Sequence, residues 1–119
     1  MLSDASAFIW ATFNQVDPAD RNPVDAVTLV IEDIGGVAFT SGNDIHLSAQ
    51  HVVGYSGDVR TEVTGVLYHE KTHVWQWDGK GQANRGLIEG IANFVRLRAG
   101  YAPWHWEQLL DKLALIILY

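Results

Sequence analysis

The sequence predicts a single α+β domain in which a small, mostly antiparallel sheet packs on a central helix. Short runs rich in β-branched residues, separated by glycine-containing turns, occupy the first half of the 119 residues. Longer segments with apolar residues at helical spacing occupy the second half. The composition is 48% hydrophobic with a mean hydropathy of +0.01, which is typical of a folded chain rather than a disordered one.

The first half is predicted to contain one helix and three strands. Apolar residues recur on one face of a helix from Leu2 to Phe13. The strands are predicted at Val27–Ile31, Val37–Thr40 and Ile45–Val53. Because tight turns join consecutive strands into hairpins, this order predicts an antiparallel meander.

The second half is predicted to be helical. Asp58 suits the N-cap of a helix that ends near Trp77, and Asn84 suits the N-cap of a second helix that Gly100 terminates. The last segment, Trp104–Tyr119, is also predicted to be helical.

Charge and composition exclude several classes of partner and site. The net charge is -6 with a pI near 5.1, so a nucleic-acid partner bound through its phosphates is not expected. The absence of cysteine excludes disulfides and thiolate zinc sites. Met1–Phe8 lacks the pattern of a signal peptide, and Leu113–Tyr119 is too short to span a membrane. The chain alone is therefore expected to be soluble, without a membrane partner, and not exported.

The strongest chemical signal is a His-Glu-x-x-His motif inside Gly65–Trp77. Residues four apart lie one above the other on a helix, so His69 and His73 can bind the same zinc ion. Glu70 lies about 100° further round the helix, where it can touch a metal-bound water without being a ligand. The alternative interpretation is an ordinary polar helix face.

A catalytic zinc site needs a third protein ligand and leaves one position for water. Glu89 is the strongest candidate because it interrupts an apolar segment, which favours an inward role over that of a surface carboxylate. Gly86 and Gly90 beside it are expected to permit close helix packing. The chain has no His-x-x-Gly-x-x-His extension that would supply a third histidine.

In such a site, zinc lowers the pKa of its water and polarises a substrate carbonyl. Glu70 would take the proton of the water and pass it to the leaving amine. The oxyanion then needs a further hydrogen-bond donor. Tyr55, Tyr101 and His105 are available, and spacing does not choose between them.

These motifs and their surroundings resemble the plant basic secretory protein family, also described as peptidases of plants and bacteria. The segments that carry the resemblance are Gly36–Thr40, Ile45–Ala49, Gly54–Val59, Gly65–Trp77, Gly86–Leu97 and Gly100–Pro103. The resemblance implies a zincin-like fold and a Zn²⁺ site at His69, His73 and Glu89. It also implies a peptide or protein substrate and a secreted, defence-associated protein.

The chain departs from the family pattern in three ways. Asn93 stands where the family has an aspartate, a carboxylate that commonly braces a ligating imidazole from the second shell. The signal peptide and N-terminal strand of family members are absent, and so are the helices that follow the Trp104–Trp106 region. Residues 1–119 are therefore expected to form one domain truncated at both ends relative to the family.

The sequence thus predicts a zinc-dependent metallopeptidase, and the alternative is a non-catalytic defence or binding protein that retains the scaffold. Ile45–Ser48 lies just upstream of the motif helix, so we hypothesise that it is an edge strand that pairs with an extended substrate. His46 and His51 are predicted to be structural strand residues. Four tryptophans are expected either to cover the core or to line a groove: Trp75, Trp77, Trp104 and Trp106.

Overall fold

The computed structural model describes residues 2–103 and 106, and it shows a small α+β domain. Its α-helices and strands in chain order are α1 (Leu2–Thr12), β1 (Thr28–Glu32), β2 (Ala38–Ser41), β3 (Asp44–Ser48), α2 (Ala49–Gly54), α3 (Val59–Trp75) and α4 (Arg85–Arg98), and a short 3-10 helix, Pro18–Asp20, follows α1. Apart from Trp106, the helix predicted over Trp104–Tyr119 lies outside the described residues, and so does its apolar end at Leu113–Tyr119. None of the helices in the described part has the length and hydropathy needed to cross a membrane.

The three strands form a mixed sheet in the order β1-β3-β2. β3 pairs in parallel with β1 and antiparallel with β2, so the prediction of a mostly antiparallel meander is wrong. The tight turn between β2 and β3 does form a hairpin, but the segment around Gly35 and Gly36 does not. The central strand is β3, and its Ile45 and Leu47 are both almost completely buried.

The hypothesis that Ile45–Ser48 is an edge strand is also wrong, because this segment is the centre of the sheet. The predicted extension of this strand to Val53 fails as well. The hydroxyl of Ser48 accepts a hydrogen bond from the backbone N–H of His51 at 3.1 Å and caps α2, which ends the strand. His51 is therefore a helix residue.

The caps predicted for the two long helices are confirmed. The carboxylate of Asp58 accepts from the backbone N–H of Thr61, and the amide oxygen of Asn84 accepts from two backbone N–H groups at the start of α4. Gly100 takes a φ of 87° directly after α4, a left-handed conformation that glycine adopts readily. α3 ends at Trp75, slightly before the expected Trp77.

α3 is the central element, with α1, α4 and the sheet packed around it. Its apolar side chains share one core with α1, β3 and α4, formed by Ala5, Ile9, Ile45, Leu67, Tyr68, Val74, Trp75 and Val95. Lys71 is buried on the α1 side, where its ammonium donates to the carbonyl oxygen of Leu2. Burial of Lys71 lowers the pKa of its ammonium group.

Close packing against α3 depends on Gly65 rather than on the glycines of α4. A Cβ atom at Gly65 would lie 2.6 Å from Nε of Arg96 and 2.7 Å from the carbonyl oxygen of Tyr101. A Cβ atom at Gly90 would meet open space, and one at Gly86 would meet only the capping side chain of Asn84. The expectation that Gly86 and Gly90 permit close helix packing is therefore wrong.

Candidate active site

α3 and α4 bring the side chains of His69, His73 and Glu89 together. Nε2 of His69 lies 3.1 Å from Oε2 of Glu89, and Nε2 of His73 lies 3.2 Å from Oε1 of the same carboxylate. The two Nε2 atoms are 3.2 Å apart. Both imidazoles are mostly buried, and among the residues that the structure describes this is the one cluster of its kind.

The donor atoms of this cluster fit Zn²⁺ in chemistry and in spacing. A zinc ion with bonds of about 2.0–2.1 Å in a tetrahedral site places neighbouring ligand atoms about 3.3 Å apart. The two imidazole Nε2 atoms are 3.2 Å apart, close to that edge length, and each lies 3.1 or 3.2 Å from a different oxygen of Glu89. Two imidazole nitrogens and one carboxylate oxygen form a ligand set that leaves the fourth position open.

Burial lowers the pKa of His69, and the neighbouring His73 lowers it further. Glu70 and Glu89 oppose that shift but do not reverse it. The lowered pKa favours the neutral imidazole, which carries the nitrogen lone pair that a metal needs. The environment of His69 therefore favours the protonation state of a metal ligand.

Gln76 holds the ring of His73 from the side opposite the cluster. Its Oε1 lies 2.6 Å from Nδ1 of His73, and its Nε2 donates to the carbonyl oxygen of Ile88 at 3.4 Å. Sequence reasoning missed this residue. Its position one turn after His73 at the end of α3 was the available signal.

Glu70 lies beside the cluster and is held by a residue of β2. The hydroxyl of Thr40 lies 2.7 Å from Oε2 of Glu70 and 3.0 Å from its backbone oxygen. The single hydroxyl hydrogen favours the nearer carboxylate. Sequence reasoning missed Thr40 too, because this contact crosses from the sheet to α3.

Two cavities meet at the cluster and share His69 and Glu70. The larger, which we call the cleft, has a volume of about 930 Å³. It runs between β2 and the loop after α3, and the exposed Trp77 lies on its wall. The smaller, which we call the side pocket, has a volume of about 380 Å³ and lies between α2, α3 and α4. The cluster is thus open to a ligand from two directions.

Comparison with known families shows to which family the chain belongs. Residues 1–112 match the family model BSP, described as peptidase of plants and bacteria. The chain belongs to this family. No curated protein matches the chain, and no solved structure does.

The part matched to the BSP family includes all four residues predicted for the reaction, Glu70, His69, His73 and Glu89. A peptidase family implies peptide or protein substrates, which agrees with a cleft that is open at the cluster. The family resemblance drawn from the sequence is confirmed.

Of the three residues predicted as oxyanion donors, the structure describes two, and these two have different surroundings. Tyr55 lines the side pocket together with His69 and Glu70. Tyr101 instead stacks on Tyr68 in the core, with ring centroids 5.2 Å apart. His105 lies outside the described residues.

Asn93 also lines the side pocket next to His69. Across residues 2–103 and 106, no hydrogen bond joins the amide of Asn93 to either imidazole. A bracing role for Asn93 stays a prediction.

Proposed function

We propose that this BSP-family chain hydrolyses peptide bonds at a zinc centre held by His69, His73 and Glu89. The observation that carries the proposal is the convergence of three side chains: the two imidazole Nε2 atoms are 3.2 Å apart, and each lies 3.1 or 3.2 Å from one oxygen of the Glu89 carboxylate. A bound Zn²⁺ would supply a Lewis acid that activates water and polarises the scissile carbonyl.

The role that we assign to Glu70 is that of the general base. Thr40 occupies Oε2 of this carboxylate, which leaves Oε1 to accept a proton from the attacking water. Glu70 then delivers that proton to the leaving amine. Because Thr40 fixes the carboxylate, no side-chain reorientation is needed at the moment of transfer.

Tyr55 is the oxyanion donor that we propose. Its partial burial and the carboxylate of Glu62 raise the pKa of its phenol. A phenol is protonated at neutral pH even without this shift, so Tyr55 can donate a hydrogen bond to developing negative charge. Tyr101 is not assigned this role, because its ring stacks on Tyr68 and it lines neither cavity.

We infer that the substrate binds in an extended conformation along β2. This strand is at an edge of the sheet, and its Phe39 and Thr40 line the cleft with the cluster. An unpaired strand edge offers backbone hydrogen-bonding groups to an extended peptide. We therefore propose that β2, rather than Ile45–Ser48, pairs with the substrate.

The decisive experiment combines metal analysis with one conservative variant. Purified protein should contain about one zinc ion per chain and should cleave an unfolded protein such as reduced casein. Glu70→Gln should abolish cleavage while the zinc content is unchanged. Glu32→Gln is the matched control, because Glu32 on β1 contacts His46 on β3 and lines neither of the two cavities.

The outcomes separate the proposal from its alternative. Zinc bound without cleavage of any substrate would favour a non-catalytic binding protein that retains the scaffold. Protein that takes up no zinc would contradict the ligand assignment itself. Secretion and a defence role stay predictions from the resemblance, and fractionation of expressing tissue tests the first of them.

A further inference from the structure

The side pocket is a second compartment beside the reacting centre that the proposed chemistry does not use in full. Its walls are mostly apolar, and they combine α3, α4, the segment before β2 and the segment after α4. The apolar wall residues are Val37, Val66, Pro103 and Trp106. Because His69 and Glu70 form part of the same wall, a group bound here lies next to the scissile bond.

The base of the side pocket holds a buried ion pair. Nη2 of Arg96 donates to Oε2 of Glu62 at 3.0 Å, and the side chains are only 8% and 10% exposed. Gly65 makes room for this guanidinium, since a Cβ atom there would overlap it. The absence of a side chain at Gly65 thus allows a charged pair to lie in the wall of this pocket.

This pair makes the side pocket unfavourable for charged ligands of either sign. A carboxylate entering it would approach Arg96, but it would also face Glu62 and Glu70. An ammonium group would be attracted by those carboxylates but repelled by the guanidinium of Arg96. Either charged group would lose hydrating water in the pocket. Every attractive charge that it would meet there is accompanied by a repulsive one.

Arg96 still has hydrogen-bonding capacity that the rest of the described chain does not use. A guanidinium carries five N–H donors. Among residues 2–103 and 106, its acceptors are the carbonyl oxygen of Tyr101, at 2.8 Å from Nε, and the carboxylate of Glu62. The remaining donors suit a neutral ligand that carries an oxygen at its tip.

We propose that the side pocket binds a large, uncharged aromatic side chain of the substrate next to the scissile bond, and that tyrosine is preferred to phenylalanine. The volume of about 380 Å³ suits a large side chain, and the apolar walls suit a ring. The phenol oxygen would meet the N–H groups of Arg96. This substrate preference rests on the proposed peptidase function, but the pocket itself is built from protein side chains alone.

The test therefore measures binding without metal. Chelator-treated protein is titrated with the N-acetyl methylamides of tyrosine, phenylalanine, alanine, glutamate and lysine. The methyl NMR signals of Val37 and Val66 report the binding of each probe. The tyrosine and phenylalanine probes should shift both methyl pairs saturably, with tyrosine about threefold tighter. The alanine, glutamate and lysine probes should bind about tenfold more weakly or not at all.

A pair of matched variants locates the binding. Val37→Phe places a ring at the mouth of the side pocket and should abolish the shifts of the Val66 methyl groups. Val53→Phe is the same change at an 87% exposed position on α2 outside the pocket, and it should leave them unchanged. Equal binding of alanine and phenylalanine probes, tighter binding of a charged probe, or no saturable shift would overturn the proposal.

A second measurement, on zinc-loaded protein, distinguishes failure of the pocket proposal from failure of the peptidase proposal. Cleavage of a random peptide mixture, read by mass spectrometry, should occur next to aromatic residues. Cleavage without that preference would overturn the pocket while the peptidase function stands. Protein that binds the aromatic probes but cleaves nothing would contradict the peptidase function and leave the pocket in place.

Discussion

Oε1 of Gln76 lies 2.6 Å from Nδ1 of His73, and this contact sets which nitrogen of the imidazole faces the cluster. An amide oxygen only accepts, so Nδ1 carries the hydrogen and Nε2 keeps its lone pair. The orientation of the amide follows from its other end, because Nε2 of Gln76 donates to the carbonyl of Ile88. Gln76 therefore links the tautomer of His73 to the residue that precedes Glu89.

The first prediction is that Gln76→Ala weakens zinc binding by about 10- to 100-fold. Loss of the acceptor frees the His73 ring to rotate and to change tautomer, and the link to α4 is lost with it. Competition against a chromogenic zinc chelator measures the affinity. Gln82→Ala is the matched control, because Gln82 is exposed in the loop between α3 and α4.

A conservative variant distinguishes positioning from simple loss of packing. Gln76→Glu keeps an acceptor for Nδ1 but cannot donate to Ile88, so it should retain more zinc affinity than Gln76→Ala. The ¹⁵N shifts of His73 should report Nδ1–H in wild type and a mixture of tautomers in the alanine variant. Unchanged zinc affinity in Gln76→Ala would contradict the role.

The helices and the clustering of His69 with His73 were predictable from the sequence because their signals are local. The periodicity of apolar residues and the caps at Asp58 and Asn84 locate α3 and α4 within a residue or two. The spacing of His69 and His73 needs only one turn of helix. Strand order was not predictable in this way, because the central position of β3 depends on burial against α3.

The supporting contacts of the site were beyond sequence reasoning for the same reason. Thr40 reaches Glu70 across thirty positions of chain, from an edge strand whose place in the sheet was predicted wrongly. Gln76 reaches Ile88 only because α4 folds back beside the end of α3. The family pattern points to Asn93, whereas the hydrogen bond to His73 comes from Gln76.

The second prediction concerns Thr40, whose hydroxyl holds the carboxylate of Glu70. Thr40→Val keeps the β-branched shape but removes the donor, so Glu70 loses its fixed orientation. We expect kcat to fall about tenfold with little change in zinc content. Thr28→Val, at an exposed position on β1, is the matched control. A fall in zinc content equal to the fall in kcat would contradict a role confined to Glu70.

The third prediction contrasts two glycines in helices. Gly65→Ala should lower the free energy of unfolding by about 1–3 kcal/mol, because the added Cβ atom overlaps Arg96 and the carbonyl of Tyr101. Gly90→Ala should raise it by about 0.5–1 kcal/mol, because its Cβ atom meets open space within α4. Urea denaturation of the metal-free proteins measures both. Equal effects would contradict the close approach at Gly65.

The last prediction is a pH dependence at the N-cap of α3. The hydroxyl of Thr61 and then its backbone N–H hold the pKa of Asp58 below its usual value of 3.8. A carboxyl with a lowered folded-state pKa stabilises the fold above its unfolded pKa, and that contribution is lost as the pH falls through the folded pKa. The contribution of the Asp58 charge to stability should therefore be complete at neutral pH and should be lost in acid.

Asp58→Asn tests this dependence because asparagine can still cap the helix but does not titrate. At neutral pH the wild type should melt at a higher temperature than the variant, helped by its negative charge at the helix N-terminus. The difference should shrink as the pH falls below 3.8. Melting in the presence of a chelator keeps the zinc ligands out of the comparison. A difference that stays constant into strong acid would show that the charge of Asp58 contributes nothing to the cap.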